Sequence, residues 1–119
     1  MVWTVELHQE FEAEMREFDP DVVDEILSHV TLLEAFGHQL GRPRVDTLKG
    51  SSFHNMKELR FDAAQGVWRV AFAFDPARKA VLLVAGDKSG VSQKRFYKQL
   101  IATADRRFQS HLEGGKAKT

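Results

Sequence analysis

The chain has 119 residues with 17 basic and 17 acidic side chains, so its formal net charge is zero with histidine neutral. This length allows one domain with a real hydrophobic core, and the absence of cysteine excludes a disulfide framework and a thiol nucleophile. No apolar run approaches the roughly 20 residues of a membrane span, and no N-terminal stretch has the sections of a signal peptide. We therefore expect a soluble cytoplasmic protein.

The charges are distributed unevenly along the chain. Residues 1–36 contain ten acidic residues and one basic residue, a net charge of −9, and residues 37–119 carry the compensating +9. Such a split is typical of a protein with one face that binds a polyanion and an acidic back. The alternative is that two helices simply have acidic solvent faces.

The N-terminal third is predicted to contain a short strand and two helices. A strand is predicted over residues 2–7, in which residues 4–7 alternate between polar and apolar side chains. Apolar residues recur at helical spacing over residues 9–18 and 20–36. Asp19 before Pro20 predicts the start of the second helix, since Asp is a good N-cap and Pro fits the first helical position. We interpret the two helices as a helical hairpin that covers one face of a sheet.

Three consecutive strands are predicted between residues 48 and 87. In the central strand, the bulky side chains of residues 68, 70, 72 and 74 alternate with the small side chains and single charge of residues 67, 69, 71 and 73. The strand before it places Arg60 opposite its own aromatic face, so Arg60 and Arg69 are expected to project from the same side. Short polar turns between the runs predict antiparallel hairpins.

The last part of the chain is predicted to form a strand and a helix. Residues 80–85 are apolar without alternation, which predicts a strand that is covered on both faces, although a short buried helix would have the same pattern. Ser92 is a suitable cap for a final helix that reaches about Leu112. The predicted fold class is therefore α+β, with an antiparallel sheet packed against an N-terminal helical hairpin and a C-terminal helix. We expect a single domain over residues 1–112 and a disordered polar tail over residues 113–119.

No motif for a metal or a nucleotide cofactor is present. The five histidines lack the i, i+4 pairing and the carboxylate spacing of a zinc helix. The Gly-Asp-Lys-Ser-Gly segment at residues 86–90 lacks the glycine spacing of a phosphate-binding loop. We therefore expect no metal site and no cofactor.

Four short motifs occur in order along the chain: Leu-Lys-Gly at residues 48–50, Glu-Leu-Arg at 58–60, Trp-Arg-Val at 68–70 and Gly-Asp-Lys at 86–88. With the predicted order of helices and strands, they resemble the RelE/ParE toxin superfamily, in particular its HigB-like branch. The similarity covers residues 3–112. It implies a RelE-like fold and the function of a toxin in a type II toxin–antitoxin module.

The resemblance also implies an activity and partners. Most such toxins are ribosome-dependent endonucleases that cleave messenger RNA and inhibit translation, and each is held inactive by a cognate antitoxin, here expected to be a helix-turn-helix protein. Partners would then be the antitoxin, the ribosome and messenger RNA, with no membrane. RNA is cut without a metal when its own 2′-hydroxyl attacks the phosphate, which requires a base, an acid and cations near the developing charge.

By resemblance, Arg69, Arg60 and Lys88 are the candidates for stabilising the phosphate. Tyr97 and His54 complete the predicted catalytic set as proton-transfer candidates. The predicted substrate-binding residues are Lys57, Lys49, Lys94 and Arg95. Alternation places His54 on the face of Arg60 and places Lys57 on the other face.

Each of these roles has a structural alternative. Arg60 could form a salt bridge with Glu58, and the Tyr97 ring could pack in the helix interface. The small neighbours of Arg69 instead predict a shallow substrate surface, from which the arginine could be removed without unfolding the protein. Two other functions stay open from the sequence: a ParE-like poison of DNA gyrase, and a non-catalytic domain that binds RNA or a partner protein.

Overall fold

The computed structural model describes residues 2–117. Its elements, in chain order, are β1 (Val5–Leu7), α1 (Gln9–Met15), α2 (Pro20–Phe36), a 3-10 turn (Gly37–Gln39), β2 (Val45–Thr47), β3 (Lys57–Ala63), β4 (Gly66–Phe74), β5 (Ala80–Asp87) and α3 (Gln93–Ala117). Within the described residues, no helix is both long and apolar enough to cross a membrane.

The local signals read from the sequence explain where the helices begin and end. The Asp19 side chain accepts a hydrogen bond from the Asp21 backbone N–H at 2.9 Å, with Pro20 at the first helical position of α2. Gly37 ends that helix with a positive φ of 56°, and its N–H returns to the Leu33 carbonyl. The Ser92 hydroxyl accepts a bond from the Arg95 N–H at 3.2 Å, as expected for the start of α3.

The five strands form one sheet in the order β1-β5-β4-β3-β2. The strands β2 to β5 are antiparallel neighbours, but β1 pairs with β5 in parallel. The predicted α+β class is confirmed. The sheet is mixed and not wholly antiparallel, because the edge strand β1 runs in the same direction as β5. The strand β2 was not predicted, because at three residues it is too short to show a period.

Helices cover both faces of the sheet. The bulky face of β4 packs against α1 and α2 in a core around Phe11, Ile26, Leu59 and Phe72. The opposite face packs against α3, through the residues Leu48, Met56, Ala71, Ala73, Val81, Leu83, Phe96, Leu100, Ala104 and Phe108. The strand β5, which lies between β1 and β4, contributes to both cores, as its continuous apolar run predicted.

A β-bulge in β5 positions the residues around the candidate site. Ala71 pairs with Val84, but the next residue of β4, Phe72, pairs with Leu82, so Leu83 is the extra residue of β5. This register places Gly86 directly opposite Arg69. A Cβ atom on Gly86 would lie 2.8 Å from the Phe96 ring, so the glycine provides the space through which the first turn of α3 approaches the sheet.

The C-terminal helix extends beyond its predicted end. Residues 113–117 continue α3, whereas the sequence predicted that a disordered tail begins at residue 113. The Gln109 side-chain amide donates to Glu113 Oε2 at 3.1 Å, four residues further along the helix, and this pair supports the last turns. Residues 118 and 119 of the predicted tail lie outside the described residues.

Candidate functional site

The two strand arginines lie on the face predicted for them, but Arg69 is covered. Arg60 and Arg69 are directly paired across β3 and β4 and therefore share a face. The helix α3 crosses this face, so Arg69 is only 6% exposed. The expectation of a shallow substrate surface at Arg69 is wrong, because the small side chains beside it make room for a helix and not for a substrate.

Arg69 belongs to a compact polar cluster with Glu58 and Tyr97. The Tyr97 hydroxyl donates to Glu58 Oε1 at 2.9 Å, and Arg69 Nε donates to the same hydroxyl at 3.3 Å. Arg69 Nε lies 3.8 Å from Glu58 Oε1, and Arg69 Nη1 donates to the Trp68 carbonyl at 2.9 Å. We call Arg69, Glu58 and Tyr97 the Arg–Glu–Tyr cluster. The Tyr97 ring also packs edge-on against Phe96, as its structural alternative predicted.

Burial changes the acid–base properties of this cluster. Desolvation raises the pKa of the Glu58 carboxyl above its usual value, against the lowering effects of the Tyr97 hydrogen bond and the Arg69 charge. Burial, and next the hydrogen bond to Glu58, raises the pKa of Tyr97 as well. A carboxyl whose pKa moves towards neutrality is better suited to exchange protons at cellular pH. The arrangement can therefore pass a proton between a phenol and a carboxylate beside a fixed cation.

Lys88 lies next to the cluster, on the turn between β5 and α3. Its Nζ is 6.0 Å from the centroid of the Tyr97 ring. The turn is shaped by Asp87, whose Oδ1 accepts bonds from the Ser89 N–H and hydroxyl and from the Val67 N–H. The side chains of Lys94 and Arg95 are exposed on the first turn of α3. Positively charged side chains, those of Lys88, Lys94 and Arg95, therefore lie around Tyr97 at the beginning of α3.

Arg60 has a different partner from the one the sequence offered as an alternative. Its Nη1 lies 3.7 Å from Asp46 Oδ2 of β2, and its side chain is 36% exposed. Glu58, the partner expected from the sequence, instead accepts a hydrogen bond from Tyr97. Arg60 is consequently more accessible than Arg69 and stands beside the Arg–Glu–Tyr cluster.

Three other predicted residues are not brought to this place. His54 lies in an exposed turn before β3, where the neighbouring Asn55 donates to the Phe74 carbonyl at 2.8 Å. Arg69 and Phe74 are separated by about 16 Å at the usual rise of a strand, so His54 is at the far end of the sheet. Alternation misplaced His54 because β3 begins only at Lys57.

Lys57 and Lys49 also lie away from the cluster. Lys57 pairs with Phe72, which packs in the core formed with α1 and α2, so Lys57 is on the opposite face from Arg60, as alternation predicted. Lys49 is exposed in a turn beside Gly50, whose added Cβ would contact Ile101 of α3 at 3.5 Å.

Glu58 is the member of the site that sequence reasoning missed. It was considered only as a structural partner of Arg60, although its place two residues before Arg60 on one strand face carried the signal. An acidic residue on the buried side of a strand requires a partner, and here that partner is Tyr97. Among the residues that the structure describes, no group of three or more His, Cys, Asp or Glu side chains could hold a metal ion.

The profile of the family described as "Phage derived protein Gp49-like (DUF891)" matches residues 13–109 of the chain, which include α2, all of β2 to β5 and most of α3. The chain belongs to the Gp49-like family. This match includes every residue of the Arg–Glu–Tyr cluster, together with Arg60 and Lys88.

Two curated proteins of Mycobacterium tuberculosis are similar to this Gp49-like protein. The candidate toxin HigB3 is 48% identical over 92 residues, which are 77% of this chain and 78% of that protein. The candidate toxin HigB2 is 39% identical over 112 residues, which are 92% of this chain and 54% of that protein, so the chain spans about half the length of HigB2.

A solved structure of the Escherichia coli toxin RelE, a double arginine-to-alanine mutant in the free state, has the same fold. The TM-score is 0.58 at 10% identity, and the match covers 86% of this chain and 96% of that chain. At this identity the likeness concerns the fold alone. The resemblance to the HigB-like branch of the RelE/ParE superfamily, inferred from four short motifs, is thereby confirmed at the level of family and fold.

Proposed function

We propose that this Gp49-like protein is the toxin of a type II toxin–antitoxin module and acts as an endonuclease that cleaves messenger RNA on the ribosome, in the cytoplasm. The observation that carries the proposal is the Arg–Glu–Tyr cluster, which joins a perturbed carboxyl, a phenol and a fixed guanidinium beside Lys88. The similarity to HigB3 and HigB2, both named as toxins, supports the module. A cognate antitoxin, proposed to be a helix-turn-helix protein, would hold the activity in check.

In the proposed mechanism, the half-buried Tyr97 is the residue that contacts the RNA. Its oxygen accepts the proton of the attacking 2′-hydroxyl while its own proton passes to Glu58 across their 2.9 Å hydrogen bond. The 2′-oxygen then bonds to the phosphorus, and the 5′-oxygen leaves. Glu58 and Arg69 are too buried to contact the RNA, so they act as the proton acceptor behind Tyr97 and as the residue that positions it.

The cations have a separate role in this mechanism. Lys88 stabilises the negative charge that develops on the phosphate and donates a proton to the leaving 5′-oxygen. Arg60, the accessible arginine of the pair across β3 and β4, holds the phosphate by its guanidinium fork. Preorganised donors of this kind act mainly by stabilising the negative charge that forms in the transition state.

Glu58→Gln is the most direct test of the mechanism. The amide keeps the size of the side chain and can still accept the Tyr97 hydrogen bond, but it cannot take up the proton. We expect a folded protein whose cleavage of ribosome-bound message falls by about a hundredfold to ten-thousandfold. The matched control is Glu12→Gln at an exposed position of α1, which should cleave at the wild-type rate. A wild-type rate for Glu58→Gln would place the proton acceptor elsewhere.

Expression without antitoxin tests the target. Pulse labelling should show that protein synthesis stops before DNA synthesis. If DNA synthesis stops first while translation continues, the protein is a ParE-like gyrase poison. If neither stops, the proposed toxin function fails, and a non-catalytic binding domain becomes the favoured alternative.

A further inference from the structure

Three arginines are aligned across the sheet, and one of them has no role in the proposed mechanism. Arg60 pairs with Arg69 on β4, and on its other side the Arg60 N–H donates to the Arg44 carbonyl at 2.8 Å. Val45 of β2 pairs with Leu59 and is buried with it, so Arg44, one residue earlier, alternates to the face of Arg60. Arg44, Arg60 and Arg69 therefore form a row perpendicular to the strands.

This row carries more positive charge than its neighbours neutralise. Asp46 lies 3.3 Å from Arg42 and 3.7 Å from Arg60, so one carboxylate serves two arginines. Arg44 is exposed, and among residues 2–114 no carboxylate lies within 4.0 Å of its guanidinium. Arg42, Arg44, Arg60 and Asp46 together carry two positive charges that are not neutralised. Because like charges on neighbouring strands repel each other, a bound anion would stabilise this group of four residues.

The position of the group relates it to the Arg–Glu–Tyr cluster. Neighbouring strands are about 4.8 Å apart, so the backbone of Arg44 lies about 10 Å from that of Arg69, which holds Tyr97. Arg69 is buried, whereas Arg44 and Arg42 are open to solvent. A chain molecule whose reacting phosphate sits at Tyr97 can therefore extend along the row and place a second phosphate at the accessible end.

We propose that Arg42 and Arg44, which lie beside Arg60 at the accessible end of the row, form a subsite for a backbone phosphate of RNA, next to the phosphate that is cleaved. The ligand class is a phosphodiester, because the planar guanidinium fork matches two phosphate oxygens. This inference rests on the proposed function for its orientation towards Tyr97. The binding itself does not need catalysis.

The test is the salt dependence of RNA binding by Arg44→Ala. Affinity for a short single-stranded RNA, measured by fluorescence anisotropy over a range of salt concentrations, should fall by up to about fivefold, as for an exposed ion pair. The slope of log affinity against log salt should become shallower by about 0.7, because one phosphate contact is lost. Arg44→Lys should keep the slope, because it keeps the charge. In cleavage of ribosome-bound message, KM should rise while kcat stays constant, since this phosphate does not react.

The control is Arg16→Ala, which removes the same charge from the exposed end of α1 and should leave the slope unchanged. Asp46→Asn provides the opposite perturbation, since it releases Arg42 and Arg60 from their carboxylate and should strengthen RNA binding. The inference is overturned if Arg44→Ala keeps the wild-type slope, or if Arg16→Ala lowers the slope equally. It is also overturned if the wild-type protein does not bind RNA. If the slope falls but wild-type protein never cleaves message, the subsite stands and the proposed nuclease function fails.

Discussion

The structure changes the expected effect of Arg69→Ala on stability more than that of any other substitution at the site. From the sequence, Arg69→Ala was predicted to act at a surface, where truncation costs well under about 1 kcal/mol of stability. In the structure the side chain of Arg69 is 7% exposed and that of Glu58 is 8% exposed. Breaking such a buried pair by removing one partner typically costs about 3–5 kcal/mol, because an uncompensated charge stays behind.

The geometry places the expected cost at the lower end of that range. The closest contact between the two charged groups is 3.8 Å, and Glu58 keeps its hydrogen bond from Tyr97 when Arg69 is gone. We therefore expect Arg69→Ala to lower the free energy of unfolding by about 3 kcal/mol at neutral pH. A lower activity of this variant could then arise from the loss of folded protein, so activity alone would not reveal a catalytic role for Arg69.

The pH dependence identifies the cause. Desolvation already raises the pKa of Glu58 in the folded protein, and loss of the Arg69 charge, which lowers it, should raise it further. A carboxyl with a raised pKa binds its proton more tightly in the folded state than in the unfolded state. Stability is therefore lost as pH rises from the unfolded value, about 4.3, through the folded pKa. The deficit of Arg69→Ala against wild type should thus be largest at neutral pH and shrink in acid, where Glu58 is neutral in both proteins.

Urea unfolding of wild type, Arg69→Ala and the double variant Arg69→Ala/Glu58→Gln at neutral and acidic pH measures these differences. The double variant should recover most of the lost stability at neutral pH, because it has no stranded charge. The reasoning is refuted if Arg69→Ala unfolds within about 0.5 kcal/mol of wild type. It is refuted equally if the neutral glutamine brings no recovery.

Two further predictions concern the packing of α3 and the end of α2. Arg107→Ala should cost about 2–3 kcal/mol in urea unfolding. The guanidinium is 4% exposed and donates to both oxygens of Glu14 and to the Leu83 carbonyl, while water reaches Glu14 and offsets part of the loss. An unchanged unfolding midpoint would mean that this pair does not hold α3. Gly37→Ala should cost about 2 kcal/mol or more, since φ is +56° and an added Cβ would overlap the Trp3 ring. Gly41→Ala, where an added Cβ meets nothing within 4 Å, should be nearly neutral, and equal losses at both positions would refute the packing argument.

The sequence predicted elements that carry a strong period, and it failed where the period ends. The alternation of β4 correctly separated Phe72 from Ala71, because each face of that strand packs against a different helix layer. The same alternation misplaced His54, because a turn before Lys57 interrupts the strand. Period-2 reasoning describes which side a residue faces, but only while the chain stays extended.

The site was harder to predict than the fold for a related reason. Alternation brought Arg60 and Arg69 to one face, but it holds no information on which helix crosses that face. The approach of α3 depends on Gly86, which reaches its position opposite Arg69 through a one-residue bulge in β5. A shift of this kind leaves no trace in composition or period. The burial of Arg69 and the pairing of Glu58 with Tyr97 both follow from it.

Acidic and basic side chains are also distributed unequally between the two helix layers. The acidic residues of α1 pair with Arg106 and Arg107 of α3, but those of α2 lie on one side of the sheet while the basic start of α3 lies on the other, so these opposite charges are separated across the thickness of the protein. A neutral molecule with such a dipole experiences a torque in the field of a polyanion. Near a ribosome it would turn its α3 side inward before contact, so that more encounters begin in the orientation that reaches Tyr97. Salt would weaken this orientation over distances beyond about 8–10 Å.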